Sequence, residues 1–194
     1  MKYFSLLILI STLCIINFGH AQKVENYPSR SITLIVPFTP GGGTDLMARL
    51  IADKLSKSLG QSVIVDNRPG AGGTIGTEQA ARAEPNGYTL MMGSVSTISI
   101  NPSLYKKWSI NPLKDLAPVG LVASSPSVLA ISNSLPVNSV QDLINYAKSN
   151  PRKINFGSAG NGTSHHLSAE LFRQQAGIEA QHIPYKGSAP ALLA

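Results

Sequence analysis

Apolar positions along this chain switch between two periods. Ile32–Val36 reads Ile-Thr-Leu-Ile-Val, a short β-branched run with the length and composition of a buried strand. Met47, Leu50, Ile51, Leu55 and Leu59 then recur at helical spacing, and Gly60 stands where a glycine would end that helix. The order repeats. Val63-Ile64-Val65 predicts a strand, Thr74–Arg82 a helix stopped by Pro85-Asn86-Gly87, and Tyr88–Met92 a third strand. A βαβαβ series implies a parallel sheet with right-handed crossovers.

Farther along, residues 101–120 carry Pro102, Pro112 and Pro118 and read as irregular, with Tyr105 and Trp108 expected to pack the connection down. Val119–Ile131 reads as strand material broken at Ser124-Ser125-Pro126. Ser139 is a good N-cap for a helix with Val140, Leu143, Ile144 and Ala147, stopped before Pro151. Ile154-Asn155-Phe156 predicts a short strand, a helix with Leu167, Leu171 and Phe172 on its apolar side follows, and Gln181–Pro184 is a last strand. The chain stops at Leu192-Leu193-Ala194 in what reads as the first turn of a helix, so a truncated chain with an incomplete second lobe is expected.

Glycines cluster where strands turn into helices: Gly41-Gly42-Gly43 after the first strand, Gly70-Ala71-Gly72-Gly73 after the second, Gly157 to Gly162 after the late one. Such residues are either tight turns or places where a ligand approaches bare main chain. The first helical turn leaves N–H groups unpaired at the positive end of the dipole, which suits an anion. Two such loops on neighbouring strands face one crevice at the carboxyl ends of the sheet. Gly41, Gly42, Gly43, Ala71, Gly72, Gly73 and Thr74 are therefore candidate ligand contacts, and Ser94 and Ser96 are placed to add hydroxyls to the same crevice. Phe38 is either an apolar wall for ligand carbons or core packing; Arg68 either attracts carboxylates or covers its loop. Asp45 would repel an anion, so it reads as support for the loop, satisfying free N–H groups at the helix start.

The N-terminus changes the setting. Lys2, an apolar core from Leu6 to Ile16 broken only by Ser11 and Thr12, and Gly19-His20-Ala21 form a secretory signal peptide over residues 1–21. The run is shorter than the roughly 20 apolar residues of a spanning helix. The single cysteine, Cys14, leaves with it, so a disulfide or thiolate metal site is not expected. The net charge of +6 comes from sixteen scattered Lys and Arg without interleaved aromatics, which argues against nucleic acid and allows at most weak steering of an acidic ligand.

Rival chemistries fit less well. From Gly70 the glycines fall at 70, 72, 73 and 76, with Ile75 where a dinucleotide fingerprint needs glycine. A Gly-x-Ser-x-Gly elbow is absent, and Ser158 has no evident His/Asp pair in the sequence. His165-His166 are adjacent, hence about 100° apart on a helix, and do not chelate as an i, i+4 pair does. His166 is expected to pack or hydrogen-bond at the helix start. We expect no catalytic residue, no metal and no cofactor.

Tyr27-Pro28, Ile35-Val36-Pro37-Phe38, Pro40-Gly41-Gly42 with Asp45, Val65 to Gly73, and Pro85-Asn86-Gly87-Tyr88-Thr89-Leu90 together resemble the Bug (TctC-type) receptors of tripartite tricarboxylate transporters. Asn101-Pro102 to Tyr105, Lys114 to Val119, Gly157 to Leu167 and His182 to Gly187 continue the likeness. Asn86 stands where the family usually has aspartate, at a turn. The resemblance implies an α/β, periplasmic-binding-protein-like (Venus-flytrap) fold of two lobes with mainly parallel sheets, divided here as residues 22–118 and 119–194. It implies a small carboxylate ligand held by main-chain N–H groups and waters, with Ser158, Gly162, Thr163, Ser164 and His166 closing from the second lobe. It also implies a periplasmic location and docking on the large and small permease subunits. An exported hydrolase or other small-anion enzyme, or a non-functional remnant, is the alternative.

Overall fold

The computed structural model describes residues 26–194, so the expected signal peptide lies outside the described residues. Strand β1 (Ile32–Val36) lies between β2 (Val63–Asn67) and β3 (Thr89–Met91), all parallel. The ladder runs past the strand ends: Arg68 N–H donates to Val36 O and Met92 N–H to Ile35 O. Ile32, Leu34, Ile35 and Val36 are all buried, as expected for a central parallel strand covered on both faces. Crossover helix α1 (Gly43–Leu59) ends at Gly60, whose left-handed backbone (φ 67°) lets its N–H reach Ser56 O. Helix α2 (Thr74–Ala81) packs close to β1; a Cβ at Gly76 would meet Pro37 Cα and Arg68 O at 2.8 Å.

The face that α1 buries differs from its leucine stripe. Asp45, Ala48 (0% exposed) and Ala52 face the core, where Ile32, Leu34, Val36, Val63 and Met92 gather. Leu55 packs against this cluster, whereas Met47, Leu50 and Leu59 are exposed. Small side chains let the helix approach the sheet closely, and the larger ones are left on the outer face.

The connection after β3 is more regular than its prolines suggested. A π-helical turn (Ser96–Ile100) runs into α3 (Asn101–Leu104), and α4 (Pro112–Asp115) follows. Pro102 and Pro112 sit in the first turns of α3 and α4, where a missing N–H costs nothing.

The second unit is smaller. Helix α5 (Val140–Ser149) is capped by Ser139, whose Oγ accepts from Asp142 N–H, and buries Leu143 and Ala147. Strands β4 (Asn155–Ser158) and β5 (Gln181–Pro184) pair in parallel, joined by α6 (Ser164–Ala176). Thr163 caps α6, and Gly177 ends it in the left-handed region. The last helix, α7 (Ser188–Leu193), packs on β4 and begins before the turn read from the sequence.

Two expectations fail here. Val119–Ile131 forms no strand, and its apolar side chains face solvent, with Val119 at 89% and Leu121 at 90% exposure. Among the described residues β4 and β5 pair only with each other, so β-branched composition finds no ladder to join. Likewise Leu167 and Leu171 of α6 are exposed, and none of its residues is buried. Among the described residues no helix is long and apolar enough to cross a membrane.

Candidate functional site

Three loops at the carboxyl ends of the strands converge. The loop after β1 is fixed by Asp45, only 2% exposed, whose carboxylate accepts from Gly41 N–H, Arg49 Nε and Asn67 Nδ2, each at 2.9 Å. Asn67 Nδ2 also donates to Phe38 O, tying the end of β2 to the same loop. Burial opposes ionisation of Asp45, but hydrogen bonds from Arg49, Gly41 and Asn67, with the Arg49 charge, outweigh it and hold the group below the usual carboxylate range.

The loop after β2 folds into a 3₁₀ turn, Ala71–Gly73, and leads into α2. Asn101, fully buried, donates Nδ2–H to Gly72 O at 3.0 Å. Thr74 Oγ donates to Ala71 O and Thr77 Oγ to Gly73 O, so side chains hold this turn from behind. Gly72 requires its residue type twice over. Its φ is 62°, and a Cβ would fall inside contact distance of Asn161 O.

The loop after β4 is braced by hydroxyls. Ser158 Oγ accepts from Gly160 N–H at 3.1 Å, Thr163 Oγ donates to Gly160 O at 2.8 Å, and Gly162 N–H donates to His166 Nδ1 at 3.2 Å. This loop touches the first unit directly. Tyr105 OH donates to Asn161 O, and Ser164 N–H, in the first turn of α6, donates to Ser96 Oγ. The two units are thus closed on one another, leaving a cavity of about 130 Å³. Gly70–Gly73 and Tyr105 form one wall; Ala159, Gly160, Asn161, Pro184, Tyr185 and Lys186 form the other. Lys186 is the one charged side chain among these lining residues. Burial pushes the Tyr105 phenol up, so it stays a donor. Bare glycine main chain at Gly70–Gly73, tyrosine hydroxyls and one cation thus face the cavity, a lining that suits a small anion.

The family model for the tripartite tricarboxylate transporter family receptor matches residues 47–194. The chain belongs to this family. It is 42% identical to a UPF0065 protein of Bordetella pertussis over all of its own length and 60% of that protein's. Among solved structures it resembles R. palustris Rpa4515 with adipate (TM-score 0.84, 44% identity, 86% of this chain and 56% of that one). It also resembles MatC (Rpa3494) from Rhodopseudomonas palustris with bound malate (TM-score 0.81, 34% identity, 87% and 57%). These neighbours give the receptor chain its α/β, periplasmic-binding-protein-like fold, and the chain spans a little over half the length of the proteins it matches.

In this receptor chain Ala71, Gly72 and Gly73 line the cavity. Gly41 and Gly42 lie instead against Ala189 and Ser188 of α7, while a Cβ at Gly43 would meet open space. Phe38 is buried beside Gly73, and Thr74 faces a neighbouring groove with Leu104 to Trp108. Ser94 bonds Thr97 N–H and Oγ, whereas Ser96 holds the start of α6. Ser158, at 2% exposure, and Thr163 are buried behind the loop, braced with Gly162 and His166. Arg68 ion-pairs with Asp66.

Asn161, Tyr185 and Lys186 escaped sequence reasoning, which assigned Tyr105 to packing alone and gave Ser158 no partner. His182 Nε2 lies 2.6 Å from Ser158 Oγ. Tyr185-Lys186, directly after a strand's carboxyl end, was the available signal. His182 left none, because its neighbour is set by strand register.

Proposed function

We propose that the protein is an extracytoplasmic solute-binding receptor that captures a small organic acid between its lobes and delivers it to the permease subunits of a tripartite tricarboxylate transporter. The observation that carries this reading is the cavity closed between Gly70–Gly73 and Ala159–Lys186, with Lys186 its one charged lining residue. The related structures with adipate and malate support the same ligand class. At about 130 Å³ the cavity lies below the roughly 300 Å³ at which drug-sized pockets begin, so a compact acid of a few carbons fits best. The leader-like residues 1–21 and the periplasmic neighbour support export to the periplasm. The lobes divide near residue 118, and the protein binds rather than turns over its ligand.

A thermal-shift series with mono-, di- and tricarboxylates tests this. An acid at 100-fold excess over its Kd stabilises a one-site receptor by about 2.7 kcal/mol. A cooperative melt that no acid shifts would count against the reading. The Ser158–His182 pair favours a hydrolase as the second reading. Against it, Ser158 is buried and its Oγ is engaged by Gly160. Ester turnover abolished by Ser158→Ala would establish that alternative.

A further inference from the structure

Strand register places His182 opposite Phe156, and the two rings stack with centroids 5.0 Å apart. His166, from the first turn of α6, stacks on the same imidazole at 3.9 Å and 15°. Ser158 then connects this stack to the cavity wall. Its Oγ already accepts the Gly160 N–H and has a single proton to donate. Two acceptors compete for that proton, His182 Nε2 at 2.6 Å and Gly160 O at 3.2 Å. When Nε2 is bare the serine donates to His182. When Nε2 carries a proton the imidazole donates to Ser158, and the hydroxyl turns to Gly160 O, where Thr163 Oγ already donates. His166 holds the other side of the loop, its Nδ1 accepting from Gly162 N–H.

We propose that His182 is a positioning residue of the ligand site: through Ser158 it holds the Ala159–Gly162 wall in its capturing shape while its imidazole is neutral, so that affinity falls as pH falls. This rests on the receptor reading above. The charged groups around the stack allow it. Burial, then the neighbouring His166, push His182 below the usual histidine range, and Glu170 opposes them. The Glu170 carboxylate is shared with Arg173 at 2.8 Å, which limits its service as a counter-ion. Strand β4 presents Phe156 and Ser158, α7 carries no titratable residue, and Lys186 beyond β5 adds a further positive charge at the cavity. Burial and these neighbours make the braced wall bind a proton at His182 less readily than a wall in which the stack is undone. The contribution is complete above the ordinary histidine pKa of about 6.5 and is lost as pH drops through the lower value His182 takes in the braced wall.

The test uses the full chain and two readouts. Amide NMR from pH 8 to 5 without ligand should show the Gly160 N–H shift following the His182 ring with a common midpoint. Malate affinity should fall by up to about tenfold per pH unit for each proton linked, and His182→Asn should flatten that profile. Ser158→Ala keeps both histidines and cuts the connection, so His182 should still titrate while Gly160 stops following it. A Gly160 amide indifferent to His182 titration, or a pH profile unchanged in His182→Asn, would overturn the proposal. If malate binds at no pH, the receptor reading fails for that acid, and the amide titration still decides the role of His182.

Discussion

The three-stranded and two-stranded units are made from the same part, a parallel strand running through a glycine loop into a helix, yet they differ in how they are held. In the first, β1 lies between two strands, and Ile32, Leu34, Val36, Ala48, Ala52, Val63 and Met92 close a core around it. In the second, β4 and β5 pair only with each other among the described residues, α6 buries no residue, and Val119–Ile131 forms neither helix nor strand and has its apolar side chains in solvent. The loop geometry is nevertheless as well defined there as in the first unit, because Ser158, Thr163 and His166 hold it by hydrogen bonds. Caps and hydroxyl braces shape a binding loop locally; a closed core decides how much free energy stands behind it.

That contrast can be broken from either side. The largest effect should come from Leu34→Ala, a buried truncation expected to cost about 2–5 kcal/mol in denaturant unfolding, whereas Leu121→Ala in the exposed segment should stay within about 0.5 kcal/mol. Equal losses would show that the two units share one core. Next, Asp45→Asn removes the charge from a buried acceptor of three hydrogen bonds and should cost about 1.5–3 kcal/mol. Because the Asp45 pKa is depressed in the folded protein, this contribution is present above the ordinary value near 3.9 and is lost as pH falls through the folded value. The wild type should therefore lose its advantage over Asp45→Asn in acid melts; a constant gap would assign the effect to packing.

Gly72→Ala should act at the contact between the units. Strain at φ 62° costs on the order of 1 kcal/mol, and the methyl group pushes Asn161 away. Small-angle scattering should then report a more open particle, with Gly60→Ala as a control for strain alone, since a Cβ there meets nothing. The smallest effect is expected from Leu121→Lys, which should reduce self-association while leaving the unfolding midpoint nearly unchanged.

The order of elements in the first unit was legible because its signals are local. β-branched runs, Gly60 and Pro85-Asn86-Gly87 each act within a few residues, and Ser139 caps its helix as its position suggests. The α1 stripe misled because the contact is chosen by how closely a helix can approach a sheet, which favoured Ala48 and Ala52 over Leu50. Val119–Ile131 misled because a strand is a property of a pair. At the site, the second glycine loop could be read from its spacing. Lys186 was signalled only by its position after a strand, and Tyr105 could not be read, since its place at the cavity depends on how the two units close. His182 depends on register with Phe156, which one sequence does not display.

The most direct test of anion capture between the loops is a calorimetric titration of wild type and Lys186→Met with malate and adipate, read together with the amide resonances of Gly72 and Gly73. Capture between the loops predicts saturable binding of at least one acid that moves both amides and weakens at least tenfold in Lys186→Met. Binding that leaves the two glycine amides unmoved and is indifferent to Lys186 would place the ligand elsewhere and contradict it.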